Sequence, residues 1–246
     1  MEDLKPPSKQ TPRISVVFPY YDNPEMLKFQ LDVISQYSRH VAERVEIIIV
    51  DDASPLFPAS ELLHDLPIRN VRTFRILRDK PWNQDAARNV GAFEATGDHL
   101  LLTDIDHVVP ESTLLKLDKI ADEDRVFTLG RKAHFSEKVV PSHVNSYFLS
   151  RSLFWSVGGY DEDFWGAYGS DVLFRRRLVR NLEVVELPEV RLELVTRGSI
   201  SDAKNVSLER VPSMARRIRT FWLRTLKRLG LRAEPVALVN PYTRHF

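Results

Sequence analysis

The chain has 246 residues, 43% of them apolar, enough for one large or two small packed domains and too apolar for a disordered segment. It contains no cysteine, which excludes disulfides, thiolate catalysis and thiolate metal centres, so any metal must be held by oxygen or imidazole. The net charge is +1, yet residues 210 to 232 carry eight basic and no acidic residues, which leaves −7 for the remainder.

The opening "MEDLKPPSKQTPR" lacks the apolar middle of a signal peptide, and no apolar run approaches the roughly 20 residues that span a bilayer. A soluble, cytoplasmic protein is expected. Short β-rich runs then alternate with helical patterns, the mark of a mostly parallel sheet flanked by helices. Strands are expected at "ISVVFP" (14–19), "VEIIIV" (45–50), "VRTFRIL" (71–77) and "HLLLTD" (99–104), with helices over 24–40 and 83–95 between them. Asn23 and Pro24 suit the cap and first position of the first helix.

Beyond residue 110 the pattern loosens. Strands are expected near 125–129 and 144–149, and "GGYDEDFWGAYGSD" (158–171) reads as a site-forming loop in which glycines and aromatics alternate. "SDVLFRRRLVR" reads as a helix capped by Ser170. A linker near 196–209 leads to a basic helix over 210–229 with Val211, Met214, Ile218, Trp222 and Leu229 on one face.

In sheets of this kind ligands bind beyond the carboxyl ends of the strands. Those ends read "PYYDN", "DDASP" and "TDIDH", with "RDKPWNQDAARN" after the third strand. Asp104 and Asp106 flank one residue on an extended chain, so their side chains point to the same side. Two carboxylates so close repel each other unless a cation shares them or water surrounds them. An all-oxygen site that keeps several waters suits Mg²⁺ or Mn²⁺ completed by substrate phosphates.

"ISVVFPYYDNPEML", "VEIIIVDDASP", "QDAARNVGAFEATGDHLLLTDID" and "GGYDEDFWGAYGSDVLFRRRL" together resemble, in order and spacing, the motifs of family 2 glycosyltransferases of the GT-A fold, over roughly residues 13 to 180. The resemblance implies an α/β, Rossmann-like GT-A domain over 1–195, with a nucleotide-sugar half (13–107) and an acceptor half (108–195). Residues 196–246 form a basic helical extension packed on it or tethered to it. It further implies transfer of a sugar from a nucleotide sugar, most commonly a UDP-sugar, to an acceptor hydroxyl with inversion. Pro19, Tyr20, Asp22, Asp51, Asp52 and Arg88 would line the nucleotide side. Asp104 and Asp106 would hold the metal, and Asp171 would be the general base, with Asp163 as its rival. Trp165, Tyr168 and Ser170 would form the acceptor wall, although Ser170 stands where relatives carry glutamate. Some relatives add a histidine ligand after the base, but no histidine lies between His143 and His245. The ligand is then absent, or supplied by an earlier histidine such as His107 or His134, or by the C-terminal tail.

The acceptor stays open. "KPWNQDAARNVGA" with "LLLTDIDHV" is similar to bacteriophage-encoded GT-A enzymes, which with the basic segment suggests DNA bearing hydroxymethylated pyrimidines. The alternative is a saccharide or lipid-linked glycan, with the basic helix on an anionic membrane. A metal-dependent nucleotidyltransferase also pairs aspartates after a strand, but no glycine-rich phosphate loop follows the first strand here. A sugar-binding domain without catalysis is the remaining alternative.

Overall fold

The computed structural model describes residues 13–63, 70–121, 123–167, 169–195, 200 and 213–245. Tyr168, Arg210, Val211 and the expected linker near 196–209 lie outside them, except for Ile200.

β1 (Ile14–Tyr20) is built from β-branched and aromatic residues and is buried on both faces. It leads to α1 (Pro24–Ser35), whose Asn23 cap accepts from the Met26 amide at 3.2 Å while Pro24 takes the first turn. The helix expected over 24–40 stops there. Ser38 caps a second short helix, α2 (Arg39–Arg44), through the Val41 amide, and so breaks the pattern in two. β2 (Val45–Asp51), α3 (Ala59–Leu63) and β3 (Val71–Ile76) follow. α4 (Gln84–Glu94) then crosses β1 so closely that a Cβ on Gly91 would stand 2.3 Å from Val17 Cγ1, a space only glycine fits.

β4 (His99–Leu102), β5 (His107–Val108), α5 (Glu111–Ile120), β6 (Val126–Ala133), β7 (Val139–Val140), β8 (Tyr147–Ser150), α6 (Arg151–Ser156), α7 (Asp171–Asn181) and β9 (Val184–Leu194) follow. α8 (Ser213–Arg228) and β10 (Tyr242–His245) end the described chain.

The strands form one sheet in the order β10-β3-β2-β1-β4-β8-β6-β9-β5, with β7 on β6. β3, β2, β1 and β4 run parallel, while β8 and β10 pair antiparallel with β4 and β3. The chain grows outward from β1 to β3 and then returns to place β4 on the other side of β1, which opens the crevice at that switch. Alternation along β1 feeds two cores. Val16 and Phe18 pack with Leu27, Leu31 and Leu114 on one face; Val17 packs with Val50, Val90, Phe154 and Phe174 on the other. Each such buried side chain contributes about 1.5–3 kcal/mol.

The end of the expected helical extension is a strand of the same sheet. Tyr242 lies opposite Ile76, its hydroxyl donates to Glu94 Oε1 at 2.5 Å, and Arg244 donates to the same carboxylate at 2.7 Å. No described helix is long and apolar enough to cross a membrane.

Candidate active site

The acidic residues at the ends of β1 and β2 first of all organise the backbone around them. Asp22, in the left-handed region at φ 39°, accepts from the Leu56 and Phe57 amides at 3.1 and 2.9 Å. Asp51 accepts from Ser54 and Ala59 at 2.7 and 3.0 Å, and the Tyr20 hydroxyl donates to the Phe57 carbonyl at 2.7 Å. These bonds fix the loop after β2 beside the half-buried Pro19. Asp52 accepts from the Asn83 amide and side chain at 3.0 and 3.1 Å, tying β2 to the start of α4. Burial pushes the carboxyls of both Asp51 and Asp52 up from their ordinary value.

The strongest charge arrangement lies across α4 and β4. Arg88 is completely buried, pairs with Asp104, and packs 5.4 Å from the Tyr160 ring centroid. Burial alone would lower its pKa, but Asp104, Tyr160, Asp85 and Asp171 outweigh that, so the guanidinium stays charged. Its Nε and Nη1 have no acceptor among the described residues. Asp104 also faces His143 Nε2 at 3.3 Å. Burial holds His143 below its ordinary pKa despite that carboxylate.

Asp106 lies 2.6 Å from His107 Nδ1, and His107 Nε2 is 3.1 Å from Arg131. The buried His107 ring therefore lies between the Asp106 carboxylate and the Arg131 guanidinium. Burial raises the Asp106 carboxyl, but His107, His143 and Arg131 together hold it below the ordinary range. His134 pairs with Glu193 at 2.7 Å, and His245 sits on β10, separated from β4 by three strands. Neither is an ion-pair partner of Asp104 among the described residues. His143, which no spacing singled out, is the imidazole that is.

Among the described residues no three His, Asp or Glu side chains are disposed to hold a metal ion. The donor chemistry of Asp104 and Asp106 nevertheless fits a hard divalent cation. Both are partly exposed carboxylates, at 27% and 36%, and two protein ligands leave the rest of the shell to water and phosphate.

On the acceptor side, Asp171 is the first residue of α7 and is 7% exposed, following Ser170, whose side chain makes no capping bond. Asp85 lies against both, and its burial outweighs the Ser170 hydroxyl and Arg88 to push the carboxyl up to about 6. Asp163 is differently placed. It accepts from Arg232 and lies 2.8 Å from Lys227 Nζ, which is also 2.9 Å from Asp161. Burial raises the Asp163 carboxyl, but those two cations outweigh it and hold it below the ordinary value. A carboxylate so paired is a poor proton acceptor. Glu162 is similarly occupied, by Asn89, Asn240 and the Leu238 and Val239 amides. Trp165 is covered by Arg219, 3.8 Å from its ring centroid.

A cleft of about 610 Å³ opens between the loop preceding α7 and the helix α8. Phe164, Gly166, Ser170 and Leu173 line one wall, and Arg216, Arg217, Arg224 and Arg228 line the other. The role of α8 was not legible in its basic composition, because Arg219, Lys227 and Arg232 meet the turn at 161–165 from positions more than 50 residues away.

A mostly parallel sheet with its switch at β1 and β4, an Asp-x-Asp at that switch and a carboxylate at the start of α7 define a GT-A fold. The comparisons agree. Residues 15–182 match the family model "Glycosyl transferase family 2", and the chain belongs to that family. It is 26% identical over 227 residues to the O-antigen biosynthesis protein RfbC of Myxococcus xanthus, covering 76% of this chain and 17% of that protein. The chain spans about half the length of other curated relatives it matches. Among solved structures, S. aureus TarS 1-349 in complex with UDP-GlcNAc superposes with a TM-score of 0.60 at 16% identity, covering 75% of this chain and 59% of that one. The mannosyltransferase PcManGT from Pyrobaculum calidifontis, in complex with GDP-Man and Mn²⁺, gives 0.54 at 19% identity, over 78% and 59%.

Proposed function

We propose that the protein transfers a sugar from a nucleoside diphosphate donor, a UDP-sugar first among them, to an acceptor hydroxyl with inversion at the anomeric carbon. The observation that carries this reading is Arg88, a fully buried cation with two unsatisfied guanidinium nitrogens, set among Asp104, Asp85 and Asp171. Asp104 meets only one of the guanidinium nitrogens, and burying the other donors is costly unless a further acceptor uses them. A diphosphate at the switch of the sheet is such an acceptor.

In the transfer, the acceptor oxygen bonds to the anomeric carbon as the bond from that carbon to the diphosphate oxygen breaks. Asp171 takes the acceptor proton, and Arg88 stabilises charge that grows on the diphosphate side. Asp104 and Asp106 would hold Mg²⁺ or Mn²⁺; when bound, such an ion supplies positive charge to the leaving diphosphate. The UDP-sugar and GDP-sugar held by the structural neighbours, one with Mn²⁺, support the donor class and the cation.

For the acceptor, the O-antigen relative favours a glycan over a hydroxymethylated pyrimidine in DNA. Family membership likewise favours sugar transfer over nucleotidyl transfer. The test is a panel of nucleotide sugars with Mn²⁺ or Mg²⁺, reading nucleoside diphosphate release with glycan or hydroxymethylated DNA acceptors. Turnover that needs a nucleotide sugar and disappears in chelator is expected. Pyrophosphate release from a nucleoside triphosphate would overturn the reading.

A further inference from the structure

α8 faces the body the wrong way round for an ordinary amphipathic helix. Its contacts with the turn at 161–165 are made by charged groups: Arg219 on the Trp165 and Asp163 carbonyls, and Lys227 on Asp161 and Asp163. Leu223 and Leu226 are half-buried, but five other large apolar side chains stand in water, Phe221 among them at the edge of the cleft. Met214, Ile218, Phe221, Trp222 and Leu229 are between 53% and 65% exposed, at spacings of three, four and seven residues that gather them on one face. A water-facing patch of this kind is unfavourable unless something covers it.

The border of that patch indicates what does. Arg217, Arg224 and Arg228 are exposed along one edge of it and also line the cleft beside Ser170, and no acidic residue occurs from 213 to 233. An apolar strip with a tryptophan, flanked along one edge by arginines and with no acidic residue near it in the sequence, matches the boundary between acyl chains and anionic headgroups. Nucleic acid would use the arginines but leave the apolar strip in water. A second copy packed through the same face would bring like arginine rows together.

We propose that α8 docks the protein on an anionic membrane surface, apolar face inward, and that this turns the arginine-lined cleft toward an acceptor carried on a lipid phosphate. The docking stands independently of the transferase reading; only the purpose of the cleft rests on it.

The test is sedimentation of the full chain with vesicles of phosphatidylcholine, alone or mixed with phosphatidylglycerol, at several salt concentrations. Binding is expected to the mixed vesicles only and to weaken with salt. The double substitution Phe221→Ser with Trp222→Ser, and separately the triple substitution Arg217→Gln, Arg224→Gln, Arg228→Gln, should each weaken it at least about tenfold. All five positions are exposed, so circular dichroism and thermal midpoint should be unchanged, and nucleotide binding at Asp104 should persist in both variants. Absence of vesicle binding, or binding indifferent to both sets of substitutions, overturns the proposal. So does a salt-sensitive shift of duplex DNA without vesicle binding, or a dimer that the Phe221 and Trp222 substitutions dissociate.

Discussion

Arg88 on α4 and Asp104 beyond β4 form an ion pair in which the arginine is wholly inaccessible and the carboxylate partly open to the crevice. The pair joins the helix that follows the nucleotide-side strands to the residue that begins the Asp-x-Asp. Arg88→Ala leaves Asp104 and Asp85 without their common cation, and removing one partner of a buried pair costs about 3–5 kcal/mol. Chemical denaturation should show a loss on that scale. Arg88→Lys keeps the charge without the planar fork, and its kcat should fall while folding is largely retained.

Asp171 and Asp163 are separable by their surroundings. Asp171→Asn should keep nucleotide-sugar affinity and lose transfer by about 10²–10⁴-fold, the usual weight of a general base. Asp163→Asn removes the acceptor of Arg232 and Lys227. It should lower the thermal midpoint by several degrees while kcat falls much less. The opposite pattern would make Asp163 the base.

The raised carboxyl of Asp85 has a signed consequence for stability. Burial lifts it from 3.8 to about 6, so the folded state favours the protonated form. That contribution is complete below about pH 4 and is lost as the pH rises through about 6, a change of about 3 kcal/mol. Asp85→Asn cannot ionise. The stability of wild type relative to this variant, measured by urea unfolding, should therefore decrease by that amount between about pH 4 and pH 7. A difference that does not vary with pH would refute the assignment.

β10 closes the sheet through Glu94. Burial raises this carboxyl, but Arg244 and Tyr242 outweigh it and hold it below its ordinary value. Tyr242→Phe deletes one bond to a buried carboxylate and should cost about 1–2 kcal/mol, with hydrogen exchange accelerating in β3 before the rest of the sheet. Unchanged protection of β3 would mean that β10 does not stabilise that edge.

The sequence was most informative where one physical rule acted alone. β1, β2, β3 and β4 follow from continuous β-branched and apolar runs, and α4 from its helical spacing, all within three residues of the observed bounds. α1 was drawn too long because Ser38 could restart a helix as readily as lie within one. β9 was not recognised: Pro188 and the glutamates at 186, 189 and 193 mask it, and a register shift opposite Leu129 and Gly130 absorbs the irregularity. β10 has only four residues, Tyr-Thr-Arg-His, none of them aliphatic, and becomes a strand through pairing with β3 rather than through propensity. Within the candidate site, Asp104, Asp106 and Asp171 stand out in the sequence because each sits in a motif at an element's end, and Arg88 because of its motif inside α4. Asp85, Asn83 and His143 do not, since burial and partners found only in three dimensions give them their roles.

The most direct test is calorimetric titration of UDP and a UDP-sugar, with Mg²⁺ or Mn²⁺, into wild type and Asp104→Ala. The expected result is binding that requires the cation and weakens at least about tenfold in the variant, as loss of a charge-assisted site demands. Equal affinity in the two proteins, maintained in chelator, would contradict the placement of the nucleotide diphosphate at Arg88 and Asp104.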